Sequence, residues 1–192
     1  FAATQPAAMA IRPLADEFGF PVVTSRWLGG TLTNFSIISR RINHFMKLKS
    51  DWAANAFEKY TKKERVVIEK DIARLTETMS GLETLVSRPD ILIVIDSNMH
   101  LTAVREARVL HIPIVGFVNT DSDPSLIDYP VVGNNKAKMS IEWFLGKTRE
   151  AIKKGRAKQA AFAAAAAAAA EEAAKVRARA EVKPEARDEA KK

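Results

Sequence analysis

The apolar residues of the chain fall into two kinds of pattern. Some are continuous: ILIVI at 91–95 and IPIVGFV at 112–118 are β-branched runs, the first bounded by Pro89-Asp90 and Asp96-Ser97. PVV at 21–23 is a shorter run, and DYPVV at 128–132 adds a fourth. Continuous apolar strands, unlike alternating ones, predict a parallel sheet covered on both faces. Other apolar residues recur at helical spacing. Residues 6–18 carry Met9, Ile11, Leu14 and Phe18; residues 100–110 carry Leu101, Val104, Ala107 and Val109; residues 136–153 carry Ile141, Phe144, Leu145 and Ile152. Strand and helix patterns alternate, which predicts a doubly wound α/β sheet.

One stretch breaks the alternation. Residues 34–49 place Phe35, Ile38, Ile42 and Phe45 at spacings of 3, 4 and 3, and residues 61–80 place Ile68, Ile72, Leu75 and Met79 at spacings of 4, 3 and 4. Both spacings predict amphipathic helices. Thr61-Lys62-Lys63-Glu64 is a capping box that starts the second. The loop of about ten residues between them suits an antiparallel hairpin. A coiled-coil arm over 34–80 is therefore expected, inserted between the two parts of the sheet domain, 1–33 and 81–155. Beyond Gly155 the apolar periodicity stops, and residues 156–192 are dominated by Ala, Lys, Arg and Glu, with eight consecutive alanines at 163–170. Alanine favours a helix but offers no face to bury, so a low-complexity tail, disordered or loosely helical, is expected.

Composition narrows the function. With 192 residues, 47% of them apolar, the chain can build one domain with a core. No apolar run is long enough for a membrane helix, and the first ten residues, FAATQPAAMA, lack the charged and apolar regions of a secretory signal. No membrane partner is expected. The chain opens on Phe1 and not Met, and reads as a fragment. The absence of cysteine excludes disulfides, thiolate catalysis and cysteine-ligated zinc. The net charge of +7 is uneven: +4 over 1–50, −3 over 51–144 and +6 over 145–192. Positive ends around an acidic middle point to a polyanionic partner, of which nucleic acid is the commonest.

Catalytic chemistry is poorly represented. His44, His100 and His111 stand in no metal-site or triad spacing. NTDSDPSLIDYP at 119–130 sets Asp121, Asp123 and Asp128 after a strand, but lacks the glycine and closing glutamate of a calcium loop. A turn held by side-chain to backbone hydrogen bonds is expected there, and Asp96 is expected to cap the next helix. SRWLGGTLTN at 25–34 matches neither the dinucleotide fingerprint nor the P-loop. Gly29 and Gly30 permit a tight turn, Thr33 or Asn34 is placed to cap the arm's first helix, Trp27 is assigned to the joint between arm and sheet, and Arg26 to a phosphate. No metal, cofactor or small-molecule substrate is expected.

RWLGGTLTN at 26–34 resembles the signature segment of the bacterial-type small-subunit ribosomal protein "S-two" family. PDILIVIDSNMHLTAVREARVLHIPIVGFVNTDSDPSLIDYPVVGNN at 89–135 is similar to the family's second signature, with Glu106 on its helix, and FEKYTKKE at 57–64 to its arm. The resemblance covers roughly 1–152 and implies a flavodoxin-like parallel sheet with helices on both faces and an inserted antiparallel coiled-coil hairpin, the Ala-rich tail lying outside it. It further implies a structural protein of the small ribosomal subunit, not an enzyme. Such a protein binds small-subunit ribosomal RNA and neighbouring proteins, including the multi-OB-domain one that delivers messenger RNA. Its implied place is the cytoplasmic ribosome, an organellar ribosome being left open. His100 stands where the family carries an acid or amide, and Asn135-Lys136 replaces an acidic pair, which makes this chain a poorer candidate for a metal. The family's N-terminal helix and first strand have no counterpart ahead of Phe1.

The residues expected to neutralise RNA phosphates are Arg26, Arg40, Arg41, Lys47, Lys49, Lys62, Lys63 and Arg65. One alternative is an α/β enzyme that binds a nucleotide or sugar phosphate at Asp96, Asn119 and Asp121; another is a protein-interaction module working through the arm alone.

Overall fold

β-branched runs form the sheet because such side chains pack well on a pleat buried from both sides. The computed structural model describes residues 1–3 and 5–181, with side chains for 1–3 and 7–166. Its elements in chain order are β1 (Ala2–Ala3), α1 (Gln5–Phe18), α2 (Phe35–Ala53), α3 (Lys62–Met79), β2 (Leu92–Ile95), α4 (Leu101–Val109), β3 (Ile114–Val118), β4 (Tyr129–Val132) and α5 (Lys138–Glu181). The chain divides into two units, Phe1–Gly146 and Lys147–Lys192.

The four strands are parallel, in the order β1-β2-β3-β4. The expected strand at 21–23 is reduced to one parallel bridge, Val23 against Ala2. The reason is local: Pro21 has no N–H to donate, and the Val22 N–H is spent on the Gly81 carbonyl at 2.7 Å. Ala3 N–H donates to Val23 O and Val23 N–H to Phe1 O, while Ala2 and Ala3 pair with Val94 and Ile95 in β2. A strand's backbone groups alternate in direction, so Val23 lies on the opposite edge of β1 from β2. Counting that bridge as a rudimentary strand, the order is 2-1-3-4-5, the flavodoxin-like arrangement, and it reverses between β1 and β2.

Alternate residues of β1, β2 and β3 feed two cores. On one face Ala2, Leu92, Val94, Ile114 and Val118 meet Ala103, Val104 and Ala107 of α4. On the other, Ala3, Ile95 and Phe117 meet Ile11 and Leu14 of α1 and Ile141, Phe144 and Leu145 of α5. Phe117 stacks on Phe144 with ring centroids 4.7 Å apart. Of the apolar residues expected on helix faces, Met9 and Val109 instead point outward, 87% and 70% exposed.

The arm's helices form where their spacing predicts, and the Thr61–Glu64 capping box is complete. Their packing is less symmetric than the expected coiled coil. Ile38, Ile42 and Phe45 of α2 are buried, and Ile38 and Ile42 pack with Val23, Leu82 and Leu85. Of the α3 seam only Met79 is buried; Ile68, Ile72 and Leu75 are half-buried. Much of α2's apolar face thus seats on the sheet edge and on the chain leaving α3. In the tail, α5 continues to Glu181, as alanine's helix propensity allows, and the rest of the expected tail, 182–192, lies outside the described residues.

Gly81 is where the arm rejoins the sheet edge, and a Cβ there would collide with the Val22 carbonyl oxygen. Gly81→Ala is expected to cost roughly 3 kcal/mol in urea unfolding, because backbone, not a side-chain tip, must move. Gly146→Ala, where a Cβ meets nothing within 4 Å, is expected to stabilise the helix by about 1 kcal/mol.

Candidate nucleic-acid interface

The loop from Arg26 to Asn34 is organised by a residue far away in sequence. Glu106 lies on the sheet-facing side of α4 with Ala103 and Ala107, and is 7% exposed. Its Oε1 accepts from Trp27 Nε1 at 3.1 Å and Gly30 N–H at 2.8 Å. Its Oε2 accepts from Leu32 N–H at 2.9 Å and from the N–H and hydroxyl of Thr33, both at 3.1 Å. Five donors converge on one carboxylate. Burial pushes its pKa up, but the hydrogen bonds from Thr33, Leu32, Gly30 and Trp27 outweigh it, leaving the carboxyl below the ordinary value.

The signature residues take roles that their order in the chain foretells in part. Trp27 packs against both the sheet core and the Ile38–Leu82 cluster, so it does occupy the joint. Gly30 has φ +88, the left-handed conformation the turn requires; Gly29 does not. Asn34 is the N-cap residue of α2 but makes no side-chain capping bond, and the Thr33 hydroxyl serves Glu106 instead. Helical spacing alone gives Glu106 no role, although an acid on the apolar side of the 101–109 helix is the signal that marks it. Asp96 is not the cap of α4: the N-cap is His100, and Asp96 holds the preceding turn, accepting from Met99 N–H at 3.4 Å with its own φ at +70.

The acidic loop is a turn. Asp123 accepts from Ser125 N–H at 2.9 Å, and the bonds from Ser125 hold its carboxyl below the usual range; Asp128 accepts from Ile114 N–H at 2.8 Å. Among the described residues no group of three or more His, Asp or Glu is placed to hold a metal ion. No helix, among the described residues, is long and apolar enough to cross a membrane.

The eight cations are all exposed, yet they are not one patch. Arg26 is in the loop; Arg40, Arg41, Lys47 and Lys49 lie along α2; Lys62, Lys63 and Arg65 open α3 beyond the connecting turn. At 1.5 Å per residue α2 is about 28 Å long, so the set is spread over the arm and not gathered at one point. Lys49 is paired with Glu83 at 2.9 Å, which reduces what it offers a phosphate.

A family model described as Ribosomal protein S2 matches residues 1–155. The chain belongs to the ribosomal protein S2 family. The small ribosomal subunit protein uS2 of Thermus thermophilus is 40% identical over 146 residues, 76% of this chain and 57% of that protein. That of Ureaplasma urealyticum serovar 10 is 42% identical over 142 residues, 74% of this chain and 40% of that protein. The uS2c protein of Cyanophora paradoxa is 34% identical over 149 residues, 78% of this chain and 64% of that protein. The chain thus spans less than two thirds of the length of these relatives. They carry the names of small ribosomal subunit proteins.

Glu106→Gln keeps the size but turns a donor toward backbone donors. It is expected to cost about 3 kcal/mol in chemical unfolding, with the loop's amide exchange accelerated. Because the carboxyl's pKa is lowered in the fold, its contribution is complete above the ordinary carboxyl value of 4.5 and is lost as pH falls through the lowered value. The stability gap between the wild-type chain and Glu106→Gln should therefore narrow in acid; a gap independent of pH would refute the charged-acceptor account.

Proposed function

We propose that this chain is a structural constituent of the small ribosomal subunit, binding small-subunit ribosomal RNA and supporting translation and subunit assembly without catalysis. Membership of the ribosomal protein S2 family is the observation that carries the reading. The exposed cations on the loop and arm supply its physics, since lysine and arginine that neutralise phosphates release counterions with little reading of bases. The arm, acting as a coiled-coil hairpin over 34–80, is the proposed docking element, and 1–33 with 81–155 the sheet domain that carries it. Neighbouring small-subunit proteins, among them the multi-OB-domain one that binds messenger RNA, are the proposed protein partners. The proposed location is the ribosome, cytoplasmic or organellar; the names of the relatives support the first, and the plastid-type uS2c name the second.

Sucrose-gradient sedimentation with small subunits tests this at low and high salt. The wild-type chain should co-sediment at low salt and dissociate as salt rises. Replacing Arg40, Arg41, Lys47, Lys62, Lys63 and Arg65 by Gln should weaken binding and reduce the salt slope by about one unit for each phosphate no longer neutralised. Lys49→Gln should change it less, because Glu83 already pairs with Lys49. An unchanged slope in the multiple variant removes the arm from the interface.

A further inference from the structure

A cleft of about 770 Å³ opens beside the carboxyl ends of β1 and β2, lined among others by Arg26, Trp27, Asp96, His100, Asn135 and Lys136. Its place is the point where the strand order reverses, and open α/β sheets bind ligands in the crevice outside the strand ends at that point. Its volume lies in the range of small-molecule sites. None of the arm cations lines it.

Two of its side chains are in an unusual state. His100 is 4% exposed and Asn135 1%; the amide nitrogen and oxygen of Asn135 have no hydrogen-bond partner, and the imidazole nitrogens of His100 have none beyond a weak approach to the Ala3 backbone. A buried polar group left unsatisfied is costly, so folds rarely keep one without a use. Burial holds the imidazole below its ordinary pKa, against the opposing pull of the Ala3 backbone and Asp96, so at neutral pH it has one N–H to donate and one nitrogen to accept.

The remaining walls favour an anion that also carries hydroxyls. His100 and Thr102 belong to the first turn of α4, whose N-cap side chain makes no capping bond. The N–H groups of 101–103 have no acceptor within the helix, and this is its positive end. Arg26 and Lys136 are exposed at the cleft and add two positive charges against the one carboxylate, Asp96. A phosphate fits the positive side, and a sugar hydroxyl fits the acceptor Asp96. The half-buried ring of Trp27 offers a flat apolar surface beside them.

We propose that this cleft binds a nucleotide: its phosphate is held by Arg26, Lys136 and the first turn of α4, with Asn135 and His100 bonding it from below and Asp96 taking a sugar hydroxyl. The nucleotide is either free or part of an RNA strand, since both present the same groups. The site is non-catalytic and stands apart from docking by the arm.

Isothermal titration of the whole chain at low salt tests it with three probes: inorganic phosphate, a nucleoside monophosphate and a short single-stranded RNA. The monophosphate should bind saturably and more tightly than phosphate. Asn135→Leu, which removes an unpartnered buried amide, should weaken that binding by about tenfold without lowering the melting temperature. Lys136→Gln should weaken it as well, and being exposed it carries the test if Asn135→Leu does not fold. Lys62→Gln with Lys63→Gln should leave it unchanged. Binding of the RNA alone, abolished in the same two variants, assigns the nucleotide to an RNA strand. No saturable binding of any probe, or binding untouched by Asn135→Leu and Lys136→Gln, overturns the proposal; ordered water then satisfies the two side chains. Arg26 is left intact, so this outcome is independent of whether the arm variants lose the ribosome.

Discussion

One buried carboxylate holds the molecule's most distinctive loop in place. Glu106 gathers five donors from Trp27, Gly30, Leu32 and Thr33, and a short Gly-rich loop thereby gains a fixed shape without secondary structure of its own. The demands are mutual. The loop's N–H groups would be unsatisfied without an acceptor, and a buried carboxylate would be intolerable without donors. Gly30 is needed because the turn that presents its N–H has φ +88. The loop in turn sets the direction of α2, which starts at Phe35, and the position of Trp27 between the sheet core and the cluster under the arm.

The sheet gives that constraint something rigid to act on. Alternate residues of β1, β2 and β3 supply two cores, so α4 is fixed on one face by the same strands that fix α1 on the other. Glu106 rides on α4, and the loop it holds comes from the far edge, beside Val23. The reversal of strand order between β1 and β2 also leaves a crevice there, walled by this loop and the first turn of α4. The packing that orders the loop and the cleft beside it are thus two results of one topology.

Charge is distributed according to a different logic. Glu106, a buried carboxylate, has its structural partners, whereas the proposed RNA-binding cations are spread over solvent-exposed surface. Long exposed cations cost little to place and can be exchanged for one another, which suits contact with a polyanion backbone and makes the set more informative than any member. Lys49 illustrates the limit of reading such residues singly, because its partner Glu83 is distant in sequence.

The sequence by itself determined the elements whose cause is local. Apolar runs at 91–95 and 112–118 became β2 and β3, helical spacing became α1, α2, α3 and α4, and the Thr61–Glu64 box starts α3. The signature loop and the family were legible for the same reason, being contiguous residues in a specific order. Tertiary structure decided whatever depends on who sits opposite. It reduced 21–23 to one bridge by sending the Val22 N–H to Gly81, turned Thr33 from a helix cap into a hydrogen-bond donor to Glu106, left α3's seam half-buried while α2 packed on Leu82 and Leu85, and enclosed the Asn135 amide without a partner. Periodicity records which face of an element is apolar, but carries no record of the distant group that face or donor will meet, and that pairing is settled only when the chain closes on itself.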